Sequence, residues 1–168
     1  GKANMKKLYL IGGPMGVGKT SACGYLKQLL PKSVFLDGDW CWDANPFQVT
    51  EETKAMVMDN ICHLLNNFIR CTAYEHVIFC WVMHEQSIID RIVRALDAGG
   101  CDVKAVSLLC DAETLRERLL EDIRRGARTA DVIERSLARL AQYQSLNTRK
   151  VDTAGKSALD VAKEIAAL

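Results

Sequence analysis

Short runs of apolar residues alternate along the chain with longer segments whose apolar residues recur every three or four positions. The runs predict buried strands, and the longer segments predict amphipathic helices. Because helical segments separate the runs, their order predicts an α/β fold with one parallel sheet and helices on both faces. The expected strands are at residues 7–12, 33–36, 76–82, 103–109 and 150–152.

Residues that start and stop helices stand at the edges of these segments. The first helix is expected to begin near Lys19 and to stop at Pro31, and the third is expected to be closed by the turn at 98–100. Four of the others are expected to begin at residues whose side chains can cap a helix, namely Thr50, Asp111, Thr129 and Ser157. Ser157 and Asp160 have the spacing of a capping box.

The composition is that of one globular domain. The 168 residues include 49% hydrophobic and 26% charged side chains, which is enough to form a sizeable core. The net charge of +1 gives no electrostatic reason to expect binding to nucleic acid or to an anionic membrane. We therefore expect a small-molecule partner, and a monomer and a homodimer both remain open.

The cysteine pattern indicates the compartment. Seven cysteines are present, an odd number without a C-x-x-C pair, which favours reduced thiols and a cytoplasmic protein. No apolar stretch approaches the roughly 18 residues that a membrane span needs. Residues 1–4, before Met5, are interpreted as an expression scar, so the predicted domain covers residues 5–168.

The segment GPMGVGKT, residues 13–20, contains the complete phosphate-binding pattern G-x-x-x-x-G-K-[ST] between a predicted strand and a predicted helix. Its glycines let backbone N–H groups converge on a polyphosphate beside the positive end of the helix. Lys19 is expected to reach the β- and γ-phosphates, and the Thr20 hydroxyl is expected to bind Mg²⁺. The expected ATP contacts in this loop are Gly13, Pro14, Met15, Gly16, Val17, Gly18, Lys19, Thr20 and Ser21.

Three further turns are expected near this loop. Ligands of parallel sheets bind beyond the carboxyl ends of the strands. This places Asp37-Gly38-Asp39, His84-Glu85 and the turn at Asp152 on the same rim as Gly13. The predicted site is therefore assembled from four separate loops.

Four of these features together resemble the P-loop small-molecule kinases, the superfamily of nucleoside monophosphate, gluconate and shikimate kinases. They are the 13–20 loop, the acidic turn 37–39, an arginine-rich helical pair at 116–139, and Val151-Asp152-Thr153. The resemblance covers residues 7–168. It implies a three-layer P-loop NTPase fold whose five-stranded parallel sheet has the order 2-3-1-4-5, with a helical substrate-binding insert at 40–74 and a helical lid at 116–139.

The resemblance also implies roles for individual residues. Lid arginines neutralise charge on the transferred group, and the candidates are Arg118, Arg125 and Arg128. The alternative for each is a solvated helix face paired with glutamate. Of the two aspartates, we assign Asp37 with Thr20 to the metal and Asp39 to the acceptor as general base, although the sequence leaves this order open. Thr153 and Ala154 are expected to pass over the adenine.

The acceptor region departs from the named kinases. From residue 40 to residue 84 the only Lys or Arg residues are Lys54 and Arg70, which disfavours an anionic acceptor. The stretch 82–86 lacks both the Asp-Gly-x-Pro-Arg of nucleotide kinases and the Gly-Gly-Gly of shikimate kinases. We expect Asp37, Asp39, Trp40, Trp42 and His84 to contact the acceptor, and we expect plain core packing for Phe47.

Together these observations predict an ATP- and Mg²⁺-dependent phosphotransferase that moves the γ-phosphoryl group to a hydroxyl of a small molecule. A non-catalytic or regulatory ATP-binding module and a nucleoside or nucleotide kinase remain alternatives. A GTPase switch is disfavoured, because the D-x-x-G at 152–155 is followed by only 13 residues and no N-K-x-D occurs. The identity of the acceptor stays open.

Overall fold

The computed structural model describes residues 5–168, and the interpretation of residues 1–4 as a scar lies outside that range. Eleven strands and helices follow one another in the predicted alternation. A 3-10 helix, Gly38–Trp42, is inserted between the second strand and the second helix. The elements are β1 (Lys6–Gly12), α1 (Lys19–Leu29), β2 (Ser33–Asp37), α2 (Glu51–Arg70), β3 (His76–Cys80), α3 (Gln86–Ala95), β4 (Cys101–Leu109), α4 (Ala112–Arg124), α5 (Asp131–Gln144), β5 (Arg149–Asp152) and α6 (Ala158–Ala166).

The five strands form one sheet in the order β2-β3-β1-β4-β5, and every neighbouring pair is parallel. The predicted α/β fold and strand order are confirmed. In the centre of the sheet, Ile11 lies opposite Cys80 on one side and Val106 on the other. All five carboxyl ends therefore meet at one edge, where the predicted site residues follow.

The sheet has a hydrophobic core on each face, which gives the three layers. Leu8 and Leu10 of β1 belong to the core beneath α2 and α3, whereas Tyr9 and Ile11 belong to the core beneath α1, α4 and α6. All four side chains are buried. Burial on both faces is the reason why the central strands are apolar at consecutive positions.

Strand β3 is shorter than predicted, since it ends at Cys80 and the prediction continued to residue 82. The Trp81 N–H still donates to Ile11 O at 3.1 Å, but the Val82 carbonyl accepts from Gly13 N–H at 3.2 Å and from the Tyr143 hydroxyl at 2.8 Å. The apolar run is longer than the strand because residues 81 and 82 contact the end of β1, the phosphate loop and α5. The sequence pattern indicates that a residue is buried, and it cannot distinguish burial against a loop or a helix from pairing in a sheet.

Three of the predicted caps are confirmed. The side chains of Thr50, Asp111 and Ser157 each accept a hydrogen bond from the backbone N–H three residues later. At Thr50 the reciprocal bond from the Thr53 side chain completes a capping box. For Ser157 the structure shows the bond from Asp160 N–H at 3.1 Å.

Two predicted helix ends are wrong. Helix α5 begins at Asp131 with Ala130 as its N-cap, because the Thr129 hydroxyl bonds the Asp131 side chain in the turn before the helix. Helix α3 ends at Ala95, so the turn at 98–100 does not close it. That turn instead leads into β4 through a hydrogen bond from Cys101 N–H to Ala98 O.

Lys6 connects the start of β1 to the end of α2. Its Nζ donates to the carbonyl oxygens of Ile69 at 2.6 Å, Cys71 at 2.7 Å and Phe68 at 3.3 Å. A cation at a helix C-terminus satisfies carbonyls that have no partner within the helix. None of the helices within residues 5–168 combines the length and hydrophobicity needed to cross a bilayer.

Candidate active site

A cavity of about 250 Å³ opens at the carboxyl edge of the sheet. Its walls come from the 13–20 loop, the first turn of α1, the acidic turn after β2, and the α4–α5 region. It brings together residues that are far apart in the chain, and the lining consists of Met15, Gly16, Gly18, Lys19, Thr20, Ser21, Asp37, Asp39, Val82, Asp122 and Arg128.

The 13–20 loop passes close to the end of β4. Gly13 has a φ of +151°, and a Cβ at this position would lie 2.6 Å from Leu108 O. A side chain is therefore excluded both by the backbone conformation and by the carbonyl. Gly18 is the N-cap of α1, so the positive end of an 11-residue helix lies at the cavity wall.

Lys19 is a partly buried cation at the end of the loop. Its Nζ donates to Gly13 O at 2.7 Å and to Pro14 O at 3.0 Å, and within residues 5–168 these neutral carbonyls are its hydrogen-bond partners. Burial lowers the pKa of Lys19 to about 8, against the opposing effect of the nearby Asp39 and Asp37 carboxylates. A partly buried ammonium that bonds only neutral carbonyls among residues 5–168 is suited to a bound anion.

Asp37 organises the acidic turn. Its Oδ2 accepts from the Thr20 hydroxyl at 2.6 Å, and its Oδ1 accepts from Asp39 N–H at 2.9 Å. The 3-10 helix begins directly after Asp37, and its tight turn brings both carboxylates to the cavity.

Asp39 lies at the solvent-exposed mouth of the cavity. Its pKa is raised by partial desolvation and next by the negative charge of Asp37, while Lys19 and the Trp81 side chain oppose the rise. A carboxylate with a raised pKa accepts a proton more readily than an ordinary aspartate does.

The residues around the cavity fit a magnesium-bound triphosphate. Mg²⁺ prefers oxygen ligands and usually takes one or two from protein, with the others from water and phosphate. The Thr20 hydroxyl and the Asp37 carboxylate offer such oxygens in direct contact. The end of α1 and the Lys19 ammonium offer positive charge beside them.

The three arginines predicted to belong to a lid occupy different environments. Arg128 lines the cavity and pairs with Asp122 at 2.9 Å. Arg125 lies on the surface with 73% of its side chain exposed and pairs with Glu121 at 3.1 Å, which matches the solvated-face alternative. The catalytic roles of these arginines remain predictions.

The third lid arginine, Arg118, joins the phosphate loop to the turn after β5. Its guanidinium donates to Val17 O at 3.3 Å, to the Thr153 hydroxyl at 2.9 Å and to Thr153 O at 3.1 Å. The Thr153 hydroxyl also donates to Leu109 O at 3.1 Å, and the Ala154 N–H donates to the Asp152 carboxylate at 3.0 Å. The turn expected to contact adenine is thus held beside the loop, and the adenine contact itself remains a prediction.

The predicted tryptophans separate in space. Trp42 packs edge-to-face on Phe47, with ring centroids 4.8 Å apart, and on Trp81 at 6.1 Å. Trp40 instead packs on Phe35 at 5.1 Å, is exposed, and is not among the cavity residues. Phe47 is 57% exposed, so the expectation of core packing is wrong. It lies in the irregular segment before α2, where no further layer covers it.

His84 follows β3 but does not line the cavity. Its Nε2 lies 3.3 Å from Glu85 Oε1, and its buried Nδ1 has no hydrogen-bond partner among residues 5–168. Desolvation and then the charge of Arg139 lower the pKa of His84, so the neutral ring dominates near neutral pH. Its contact with the acceptor remains a prediction.

Comparison with known protein families gives a direct assignment. A sequence-family profile described as an AAA domain matches residues 10–142, well over half of the chain. The chain belongs to this AAA-domain family. No curated protein sequence matches it.

Solved structures similar to this AAA-domain protein share its whole fold. The tunicamycin resistance protein of Deinococcus radiodurans has 25% sequence identity and a TM-score of 0.71, with 96% of this chain and 94% of that chain covered. A gluconokinase from Sinorhizobium meliloti has 19% identity and a TM-score of 0.70, covering 98% and 91%. A shikimate kinase from Acinetobacter baumannii has 20% identity and a TM-score of 0.63, covering 96% and 91%. The predicted resemblance to the P-loop small-molecule kinase fold is confirmed.

Sequence reasoning missed two residues that line the cavity of this AAA-domain protein, Val82 and Asp122, and it missed Trp81, which lies against Gly38 beside the cavity. Trp81 and Val82 come directly after β3 at the carboxyl edge of the sheet, and that position was an available signal. Asp122 lies among the arginines of α4, where an acidic residue is typical of a surface ion pair. Its place on the cavity depends on the packing of α4 against the phosphate loop.

Proposed function

We propose that this AAA-domain protein is a phosphotransferase that moves the γ-phosphoryl group of ATP to a hydroxyl of a small molecule. The observation that carries the proposal is the partly buried Lys19 ammonium, bonded to neutral carbonyls beside the Thr20–Asp37 pair. A triphosphate would provide the counter-charge that this cation lacks. The family profile and the kinase fold of the neighbours support the same reading.

In this proposal the residues of the first helix hold the donor. The N–H groups at the start of α1 and the Lys19 ammonium bind the β- and γ-phosphates. The Thr20 hydroxyl and the Asp37 carboxylate hold Mg²⁺, which when bound neutralises charge on the phosphates. The Thr153–Ala154 turn, fixed by Arg118, borders the nucleoside end of the donor.

Asp39 acts on the acceptor. The acceptor oxygen bonds to the γ-phosphorus while the bond from that phosphorus to the β–γ bridging oxygen breaks, and ADP leaves. The hydroxyl proton passes to the Asp39 carboxylate, whose raised pKa favours this role. Arg128 lies on the same cavity and stabilises negative charge on the transferred group.

One relative suggests a narrower class of acceptor. The Deinococcus protein is named for resistance to tunicamycin, and it reaches 25% identity over nearly the whole chain. Phosphorylation of an antibiotic hydroxyl is chemically the same reaction. Tunicamycin therefore belongs in the first panel of acceptors.

The test incubates the protein with ATP, Mg²⁺ and single members of a panel of sugars, nucleosides, cofactor precursors and antibiotics. ADP release that depends on one compound, with a new phosphate monoester in the phosphorus NMR spectrum, supports the proposal. The Lys19→Met variant should show neither signal. ATP binding without compound-dependent ADP release across a broad panel would indicate a non-catalytic ATP-binding module instead.

A further inference from the structure

Trp81 stands directly over the acidic turn. A Cβ on Gly38 would lie 2.6 Å from Trp81 Cγ and 2.7 Å from Trp81 Cδ1, so the indole lies against the Gly38 backbone. The backbone N–H of Trp81 donates to Ile11 O at 3.1 Å, which attaches the residue to the central strand just before the phosphate loop. Glycine at position 38 is what permits this approach, and the indole consequently borders Asp39.

Three aromatic rings extend from this point toward solvent. Trp81 contacts Trp42 edge-to-face at 6.1 Å, and Trp42 contacts Phe47 at 4.8 Å. The first two rings are partly buried, whereas Phe47 is exposed. We call Trp81, Trp42 and Phe47 the aromatic row. It extends from the Gly38–Asp39 turn to an exposed ring, and its first two members also pack against the core under α2 and α3.

The surroundings of the aromatic row favour ligands without negative charge. Residues 38–53 and 81–90, which carry the row, contain no Lys or Arg but include six carboxylates, at 39, 43, 51, 52, 85 and 90. The two basic residues of the insert are already paired, Lys54 with Glu51 at 2.7 Å and Arg70 with Asp97 at 3.7 Å.

The nearby helix α5 adds two arginines. Arg135 is paired with Asp131 at 3.2 Å, and Arg139 lies beside His84. The segments that carry the aromatic row thus contain carboxylates and no Lys or Arg, whereas the cations Lys19 and Arg128 lie on the phosphate side of the cavity. An anionic acceptor would meet net repulsion here, whereas a protonated amine would be attracted both to the carboxylates and to the faces of the indoles.

We propose that Trp81 is the acceptor-binding platform of this site, and that the acceptor is a neutral or cationic alcohol with a flat ring face that packs on the indole. This inference rests on the proposed phosphotransferase function. Packing on Trp81 holds the acceptor hydroxyl next to Asp39, because the indole and the carboxylate flank the same glycine. Trp81 determines specificity and positions the acceptor, whereas Asp39 takes the proton.

The protein contains three tryptophans, so a double variant that retains one of them reports the fluorescence of that residue alone. The double variant Trp40→Phe with Trp42→Phe retains Trp81, and the double variant Trp42→Phe with Trp81→Phe retains Trp40. Both are titrated, in the presence of Mg²⁺ and a non-hydrolysable ATP analogue, with four probe pairs that differ in one feature. The pairs are uridine and its 5′-monophosphate, adenosine and its 5′-monophosphate, methyl shikimate and shikimate, and adenosine and methyl riboside.

The expected result is saturable quenching of Trp81, but not of Trp40, by the neutral ring-bearing members. Each charged partner, and the methyl riboside, which lacks a planar base, should bind at least about tenfold more weakly. Quenching of Trp40 alone, preference for the anionic members, or failure of every neutral member to quench Trp81 would overturn the inference. Binding is measured here without turnover, so these outcomes do not depend on phosphoryl transfer.

Kinetics with any acceptor found in the panel give the second test. Trp81→Leu should raise the acceptor KM by about tenfold and leave the ATP KM unchanged, and Trp81→Phe should restore most of the loss because it keeps a flat ring. Tyr25→Leu, which removes an exposed ring from α1, is the matched control. If turnover is present but the acceptor KM is unchanged in Trp81→Leu, the inference fails while the phosphotransferase stands. If no compound releases ADP, the proposed function fails instead.

Discussion

The Thr20 hydroxyl donates a 2.6 Å hydrogen bond to Asp37 Oδ2 and so joins the first turn of α1 to the end of β2. The other oxygen of the same carboxylate accepts from Asp39 N–H at 2.9 Å. One buried aspartate thus positions both the oxygens suited to Mg²⁺ and the backbone of the candidate base. A substitution at Asp37 would disturb both, whereas substitutions at Thr20 or Asp39 should be separable.

Lys19→Met should abolish turnover and weaken ATP binding at least about tenfold, since charge-assisted hydrogen bonds to phosphate are lost. The melting temperature should not fall, because the variant replaces a partly desolvated cation with an apolar side chain of similar length. Isothermal titration calorimetry and thermal denaturation measure the two effects. Lys27→Met, on the exposed side of the same helix, is the control, and equal ATP affinity in both variants would contradict the role of Lys19.

ATP binding should take up a proton in mildly alkaline solution. The pKa of Lys19 is lowered to about 8 in the free protein, and a bound triphosphate favours the charged form and raises it again. Below about pH 7 the ammonium is already protonated, so uptake should be small, and near about pH 9 it should approach one proton. Calorimetry in buffers with different ionisation enthalpies measures this number. Lys19→Met should show no such uptake, and a pH-independent value in the wild type would refute the lowered pKa.

Asp39→Asn should lower kcat by at least about 100-fold, the usual scale for loss of a general base, with little change in ATP affinity. Because the pKa of Asp39 is raised, the wild-type rate should fall as pH decreases through a value above the ordinary aspartate range, and the variant should lose this acid limb. A pH–rate profile for both proteins is the measurement. If the variant changed only the Mg²⁺ requirement, the assignments of Asp37 and Asp39 would have to be exchanged.

Arg128→Ala should reduce kcat by about 100-fold, because a cation beside the transferred group stabilises charge mainly in the transition state. Arg124→Ala should stay within about twofold of the wild type, since Arg124 is 73% exposed and pairs with Glu121 at 3.3 Å. Steady-state kinetics with a confirmed acceptor compare the two variants. Equal losses would indicate a general effect on the helical pair.

Gly13→Ala should lower the free energy of unfolding by at least about 2 kcal/mol, because the new Cβ would lie 2.6 Å from Leu108 O at a positive φ. Gly24→Ala is the matched control inside α1, where an added Cβ meets no atom within 4 Å. That variant should gain about 1 kcal/mol from helix propensity. Urea denaturation of both proteins gives the values, and an unchanged stability of Gly13→Ala would exclude the tight contact with β4.

Much of the fold was predictable from the sequence because its signals are local or periodic. The 13–20 loop contains its own pattern, and a doubly buried strand such as β1 is apolar whichever partner it pairs with. The strand order came from the resemblance that these motifs carry, and the structure confirms it. The caps at Thr50 and Asp111 were predictable because a capping side chain acts within three residues.

The rest depended on contacts between distant segments. The 3-10 helix after Asp37 is stabilised by the Asp37 side chain and covered by Trp81, which comes 44 positions later in the chain and is known to lie there only from the fold. The separation of Trp40 from Trp42 follows from the same short helix, since an extended turn would have placed both on one face. Arg125 and Arg128 look equivalent in the sequence, and only the packing of the helical pair directs one to solvent and the other to the cavity.

The ammonium of Lys6 anchors the last carbonyls of α2 to the edge of the sheet, and the opposite end of that helix has no comparable attachment to β1. Its first turn is held by Thr50 and Thr53, which belong to the same local segment. Residues 43–52 are exposed, whereas Val57 and Ile61 further along α2 are buried in the core. We therefore expect changes of shape on binding acceptors of different size to occur mainly at residues 43–53. Exchanging these residues should alter the acceptor specificity without changing the ATP site.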